Sequence, residues 1–227
     1  MNVRKPTYGV YSGSKDRMEA ALMRKLGRAW IRKMRAYGKY CAGAYKDGDY
    51  AWAYRERPAI GFLAAAAWSV ERGVALEEYA AAKAHSKSAR VDLYTGFHPP
   101  CESRYRNYLW EAKHGHLSIT ASDAEQKRIQ MKLLDSAGRS ASQVKLGGDE
   151  VGVGVAFLTL RAARGISEAK ALVAARGVCI KAKRCHSDAL LIAYLVDSIG
   201  VHYATHRAVG ILMVAKQCPV PKRGAKK

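Results

Sequence analysis

Asp92, Glu111 and Lys113 are the residues whose types and spacing best suit chemistry in this chain. On a β-strand, residues two apart share a face, so Glu111 and Lys113 project together while Trp110 and Ala112 point the other way. Asp92 joins them if its own stretch forms the neighbouring strand. Two carboxylates held close together repel unless a cation neutralises them, and hard oxygen ligands with room for water suit Mg²⁺ or Mn²⁺. A lysine beside such a cation can orient or help deprotonate an attacking water and offset charge on a phosphorane-like transition state, while the metal polarises the scissile phosphate. The chemistry expected of the trio is phosphodiester hydrolysis. The rival reading is an ordinary Glu-Lys pair on a strand surface.

The hydrophobic pattern supplies the elements that must position these residues. Residues 89–95 alternate and carry β-branched and aromatic side chains, and Gly96 with Pro99-Pro100 closes that strand. Residues 104–113 form the next strand, paired with it as a hairpin. Upstream, residues 58–71 read as a helix with Pro58 near its first turn and Arg72-Gly73 as the stop. Residues 74–79 then read as a strand, the alternative being a helix continuing through Lys83. Downstream, Ser122-Asp-Ala-Glu125 is a capping box opening a helix to about residue 136. Residues 147–154 are read as a turn and not a dinucleotide loop, and 151–160 are β-rich. Residues 167–176 read as helix, and 189–196 and 208–215 as apolar strands of a sheet interior.

Ahead of all this, residues 14–45 form one long amphipathic helix. Met18, Leu22, Leu26, Trp30, Met34, Tyr37 and Cys41 recur at three- and four-residue spacing. Its other face carries Arg17, Arg24, Arg28, Arg35 and Lys39, either a ridge for a phosphate backbone or a solvated helix surface. Residues 46–50 have turn chemistry and end this unit. The expected fold is mixed α/β (α+β), a mixed sheet flanked by helices. Its parts are a basic helical extension over 1–50, a core over 51–218 and a flexible basic tail over 219–227.

Arg90-Val-Asp92-Leu followed by Tyr108-Leu-Trp-Glu111-Ala-Lys113-His, both strand-like and set between helices, resembles the PD-(D/E)xK nucleases. The resemblance spans roughly residues 55–196. It implies a restriction-endonuclease-like core of helix, three strands, helix and further strand. It also implies Asp92 and Glu111 as metal ligands and Lys113 as the catalytic lysine, with Mg²⁺ or Mn²⁺ as cofactor. A glutamate of the first core helix completes the metal site in many members, a part that Glu56 or Glu71 would take. The glutamine common on the following helix would be Gln126 or Gln130. Two features depart from the pattern: Val91 stands where the family has proline, and the connection between the site strands is long and contains Cys101 and Glu102.

Composition points to the same partner. Among 227 residues, 39 Lys+Arg against 19 Asp+Glu leave a net charge of +20, far beyond what solubility requires. Nucleic acid is the counterpart that fits best, DNA before RNA, because every neutralised phosphate releases counterions. An acidic membrane surface fits less well, since the cations are spread along the chain instead of gathered on one helix or juxtamembrane run. Arg104 and Arg106 interleave with Tyr105, Tyr108 and Trp110 as phosphate and base contacts would, and Lys127 adds a cation on the following helix. A homodimer would let such an enzyme cut both strands at one position. The five cysteines include no CxxC pair, as expected of reduced thiols in a cytoplasm, and neither a secretory signal nor a membrane-length apolar run is seen. A zinc site from His98, Cys101, His114 and His116 matches no compact zinc module. Neither a phosphate loop nor a GxSxG elbow occurs.

Overall fold

The computed structural model describes residues 7–44, 56–70, 72–83, 86–99, 105–144, 146–147, 149–197 and 206–219. The elements are β1 (Thr7–Tyr11), α1 (Arg17–Ala44), α2 (Glu56–Trp68), β2 (Gly73–Lys83), β3 (Ser86–Phe97), β4 (Arg106–Ser118), α3 (Asp123–Ser142), β5 (Glu150–Ala163), α4 (Glu168–Cys185), β6 (Leu191–Val196) and β7 (His206–Gln217). The seven strands form one mixed sheet in the order β1-β6-β7-β5-β4-β3-β2. Only β4 and β5 run parallel, and the other neighbours are antiparallel. Helix α3 supplies the crossover that a parallel pair needs.

The helices cover both faces. On one, α1 and α2 bury Met23, Leu26, Trp30, Met34 and Leu63 against Trp110, Val155, Phe157 and Met213. On the other, α3 and α4 bury Leu134, Ala175 and Val178 against Leu117, Leu158 and Leu212. The mixed α/β architecture with its N-terminal helix is therefore as expected. The chain ahead of that helix gave no strand expectation, yet β1 pairs with β6 as the outermost strand.

Helices α3 and α4 run on to Ser142 and Cys185, past the expected ends near 136 and 176, and three further local readings change. First, α2 stops at Trp68 instead of Glu71, and the segment after it is the strand that its pattern favoured over a continued helix. Hydrogen bonds from Ser69 N–H to Ala66 O, Val70 N–H to Ala67 O and Gly73 N–H to Val70 O turn the chain back. A Cβ at Gly73 would run into the Ala67 carbonyl oxygen, so the reversal depends on glycine. Second, β4 extends five residues past Lys113 because parallel pairing continues to Ser118↔Arg161. Third, residues 147–154 are not all turn: β5 begins at Glu150 and contains Gly152 and Gly154. At Gly154 a Cβ would sit 2.6 Å from Gly138 N, so the missing side chain is what lets α3 lie directly on β5.

Candidate functional site

Strands β3 and β4 pair from Phe97↔Arg106 to Leu93↔Trp110, and there the register ends. Immediately beyond, Asp92 Oδ2 accepts the Ala112 N–H at 2.7 Å. A carboxylate thus takes the place of a ladder carbonyl and clips the strands together where they part. The side-chain alternation also reverses here. Leu93 packs in the α1/α2 core but Val91 packs with Leu109 and Val144 on the opposite side, and on the neighbouring strand Glu77 lies beneath Gly61 of α2 while Tyr79 joins the Val91 cluster. Between them Glu78 adopts φ +52°, a left-handed conformation uncommon outside glycine. The hairpin twists about the Glu78-Asp92 level.

Asp92 borders a cavity of about 110 Å³ with Arg57, Ile60, Glu77 and Glu78. Arg57 pairs with Glu78 at 3.1 Å and Arg90 approaches it at 3.9 Å. Glu111 is only 5% exposed and lies on the opposite side from Trp110 and Ala112, both in the α1/α2 core. Burial pushes the Cys218 thiol up, and the Glu111 charge adds to that rise. Cys218 Sγ in turn meets Gly138 O of α3 at 3.6 Å. Lys113 is half-buried on the same side as Glu111.

Glu111 and Lys113 therefore share a face as the spacing requires. Asp92 is brought to the peptide following Glu111 yet opens towards α2. Glu56 begins α2 beside Arg57, its side chain lying outside the described residues, as do Glu71 and Arg104 entirely. Among the described residues no three His, Cys, Asp or Glu side chains gather as a metal cage. A Mg²⁺-type ion keeps several waters and is commonly held by one or two carboxylates with substrate phosphates. Asp92 Oδ1 is left by the Ala112 contact, but Asp92 opens towards α2 and Glu111 lies on the opposite face, so the two carboxylates are neighbours along the strands without converging on one point.

The expected nucleic-acid contacts divide into two groups. Arg17, Arg28 and Lys39 on α1 and Lys127 on α3 are exposed, and Lys25, Arg32 and Lys33 lie exposed beside the first three. Arg24 is half-buried, and Arg35 lies over the Tyr8 ring at 5.7 Å. Arg106 instead pairs with Asp16 at 2.8 Å, and its guanidinium holds that carboxyl below the usual range. The Tyr108 hydroxyl donates to Glu19 at 3.0 Å, and its ionisation is pushed up by burial first and by Glu19 second. These two β4 residues fasten the start of α1 to the sheet and are not poised for bases.

Gln126 donates to Ala121 O, and Gln130 bonds His186, which is fully buried. The Gln130-His186 pairing had no signal in the sequence, since 56 residues separate the partners. His98 stacks on Tyr105 and approaches Arg72, whereas the His114 and His116 rings pack 4.9 Å apart near the other end of β4. Cys101 lies outside the described residues. Among the described residues no helix is long and apolar enough to cross a membrane. No family model matches this chain, and the searches of curated proteins and of solved structures return no match.

Proposed function

We propose that the chain is a divalent-metal-dependent nuclease that hydrolyses phosphodiester bonds, of DNA before RNA, at the point where β3 and β4 separate. The observation that carries the reading is the placement of Asp92 and of Glu111-Ala112-Lys113 on two consecutive strands at their point of divergence. They sit within a succession of helix, three strands, helix and strand, α2 to β5, which is the order the PD-(D/E)xK resemblance implies. Asp92 and Glu111 would hold the ion, with Glu56 as the candidate third ligand. When bound, the ion lowers the pKa of water and polarises the phosphate. The chain's own contributions are separate. The Ala112 N–H orients the Asp92 carboxylate, Lys113 brings positive charge to Glu111's face, and the exposed cations of α1 hold backbone phosphates.

A noncatalytic nucleic-acid-binding protein is the second reading, favoured by Glu111 facing α3 while Asp92 opens towards α2. A cleavage assay separates the two. Plasmid and oligonucleotide substrates are incubated with Mg²⁺, Mn²⁺ or EDTA and wild type, Glu111→Ala or Lys113→Ala. Metal-dependent cutting lost in both folded variants supports the nuclease. No cutting, with salt-sensitive binding equal in all three and indifferent to chelator, supports the binder. Failure to bind any nucleic acid at modest salt overturns both readings and points to an acidic protein partner.

A further inference from the structure

Helices α3 and α4 lie side by side so that the first turns of α3 meet the last turns of α4, and a cavity of about 130 Å³ opens between them. A single water needs roughly 10–15 Å³ of such space, so a group of several heavy atoms fits. Gln126 and Gln130 line it together with Lys127, Lys181, Arg184, Asp123, Ala182 and Cys185. Gln130 is only 3% exposed. Its carbonyl oxygen is taken by His186 Nε2 at 3.0 Å, and its amide N–H₂ has no partner among the described residues. Gln130 lines the cavity, so this amide can donate to a group held there.

The surroundings select what that acceptor is. Lys127, Lys181 and Arg184 give the rim three cations against the single carboxylate of Asp123, which Lys181 holds at 2.7 Å. A buried N–H donor beneath Lys and Arg side chains suits a phosphoryl group, whose oxygens accept from both. The geometry points to a phosphoryl-binding site in the α3-α4 groove, either for a phosphate of a nucleic-acid strand or for a free phosphate monoester. It stands apart from the β3-β4 fork and does not rest on catalysis there.

Side-chain amide resonances of the ¹⁵N-labelled full chain would be followed during titration with inorganic phosphate and, separately, with a short single-stranded oligonucleotide with and without a 5′-phosphate. A saturable shift of the Gln130 amide is expected. Affinity should fall by about tenfold or more in Lys127→Ala/Arg184→Ala, which removes two exposed charge-assisted contacts. Asp123→Ala should act in the opposite direction, since it removes the one negative charge at the rim. Tighter binding of both oligonucleotides than of inorganic phosphate would identify a strand backbone as the ligand. A preference confined to the 5′-phosphorylated oligonucleotide and inorganic phosphate would identify a terminal or free phosphate. No saturable Gln130 shift with any probe, or an unchanged affinity in the double variant, would overturn the site.

Discussion

The two halves of the sheet are built on different terms. In β5, every residue from Gly152 to Leu160 is buried, and so is every residue from Ala208 to Ala215 in β7. Both faces there are covered by helices and no charge interrupts the run, which gives the strands rigidity and leaves little to reorganise. In the outer half, β2 exposes Val74, Leu76, Glu77 and Glu78, and the pairing of β3 with β4 stops at a carboxylate. Charged groups occupy this half because water reaches it and a twist frees them from strict alternation. The inner half works as scaffold, and the outer half has the polar groups and strand divergence that chemistry requires.

The sharpest way to break that contrast is to cut into the scaffold. Phe157 is fully buried and stacks on Trp30 with ring centroids 6.1 Å apart. Phe157→Ala should cost about 3–5 kcal/mol. Leu76→Ala, at a site 50% exposed, should stay within about 0.5 kcal/mol. Urea denaturation of the two variants measures both, and comparable losses would dissolve the distinction between the halves.

Acid should act next most strongly, through His186 on the scaffold side. This residue is fully buried, and burial first, then the Lys216 charge, lowers its ionisation to about 4 from the ordinary 6.5. The unfolded chain therefore takes up a proton below pH 6.5 that the folded one refuses until about pH 4. Stability is full above pH 6.5 and lost across that window, by up to about 3 kcal/mol. His116 and His206 are lowered too and steepen the same slope, so the informative quantity is the difference between wild type and His186→Gln. Denaturant midpoints at pH 7 and pH 5 should lie closer together in the variant. An identical gap would mean that His186 is not the group responsible. A smaller effect, about 1–3 kcal/mol from overpacking, is expected of Gly154→Ala, whose new methyl group would meet the backbone of Gly138. A neutral outcome in denaturation would show that α3 can lift off β5 freely.

These differences track what was legible beforehand. Helix α1 and the apolar strands β6 and β7 were readable because periodicity alone describes an element whose buried face is continuous. The hairpin carrying Asp92 and the Glu111-Lys113 pair was readable for the same reason. The reversal of faces at Asp92 was not, because alternation assumes an untwisted strand and Glu78's positive φ carries no signature in a glutamate. The short β1 escaped because pairing with β6 and packing against α1, and not its five-residue composition, make it a strand. Arg106 looked like a phosphate ligand until its partner appeared 90 positions away. Long-range pairing of this kind decides whether a cation is available, and spacing cannot reveal it.

The smallest stability effect is expected at Asp92, and it sharpens the contrast most. Among the described residues its carboxylate makes one hydrogen bond, to Ala112 N–H, from a half-buried position, so Asp92→Ala should cost only about 0.5–1.5 kcal/mol. Asp92→Asn keeps an acceptor oxygen in the same place and should recover most of that loss, because the strand clip needs an oxygen and not a charge. Metal-dependent cleavage makes the opposite demand, since a neutral amide is a poor ligand for a hard divalent ion. Wild-type stability with cleavage abolished in Asp92→Asn would separate the carboxylate's charge from its place in the ladder and assign it to chemistry. Cleavage undiminished in that variant would leave Asp92 as the fastener of two diverging strands.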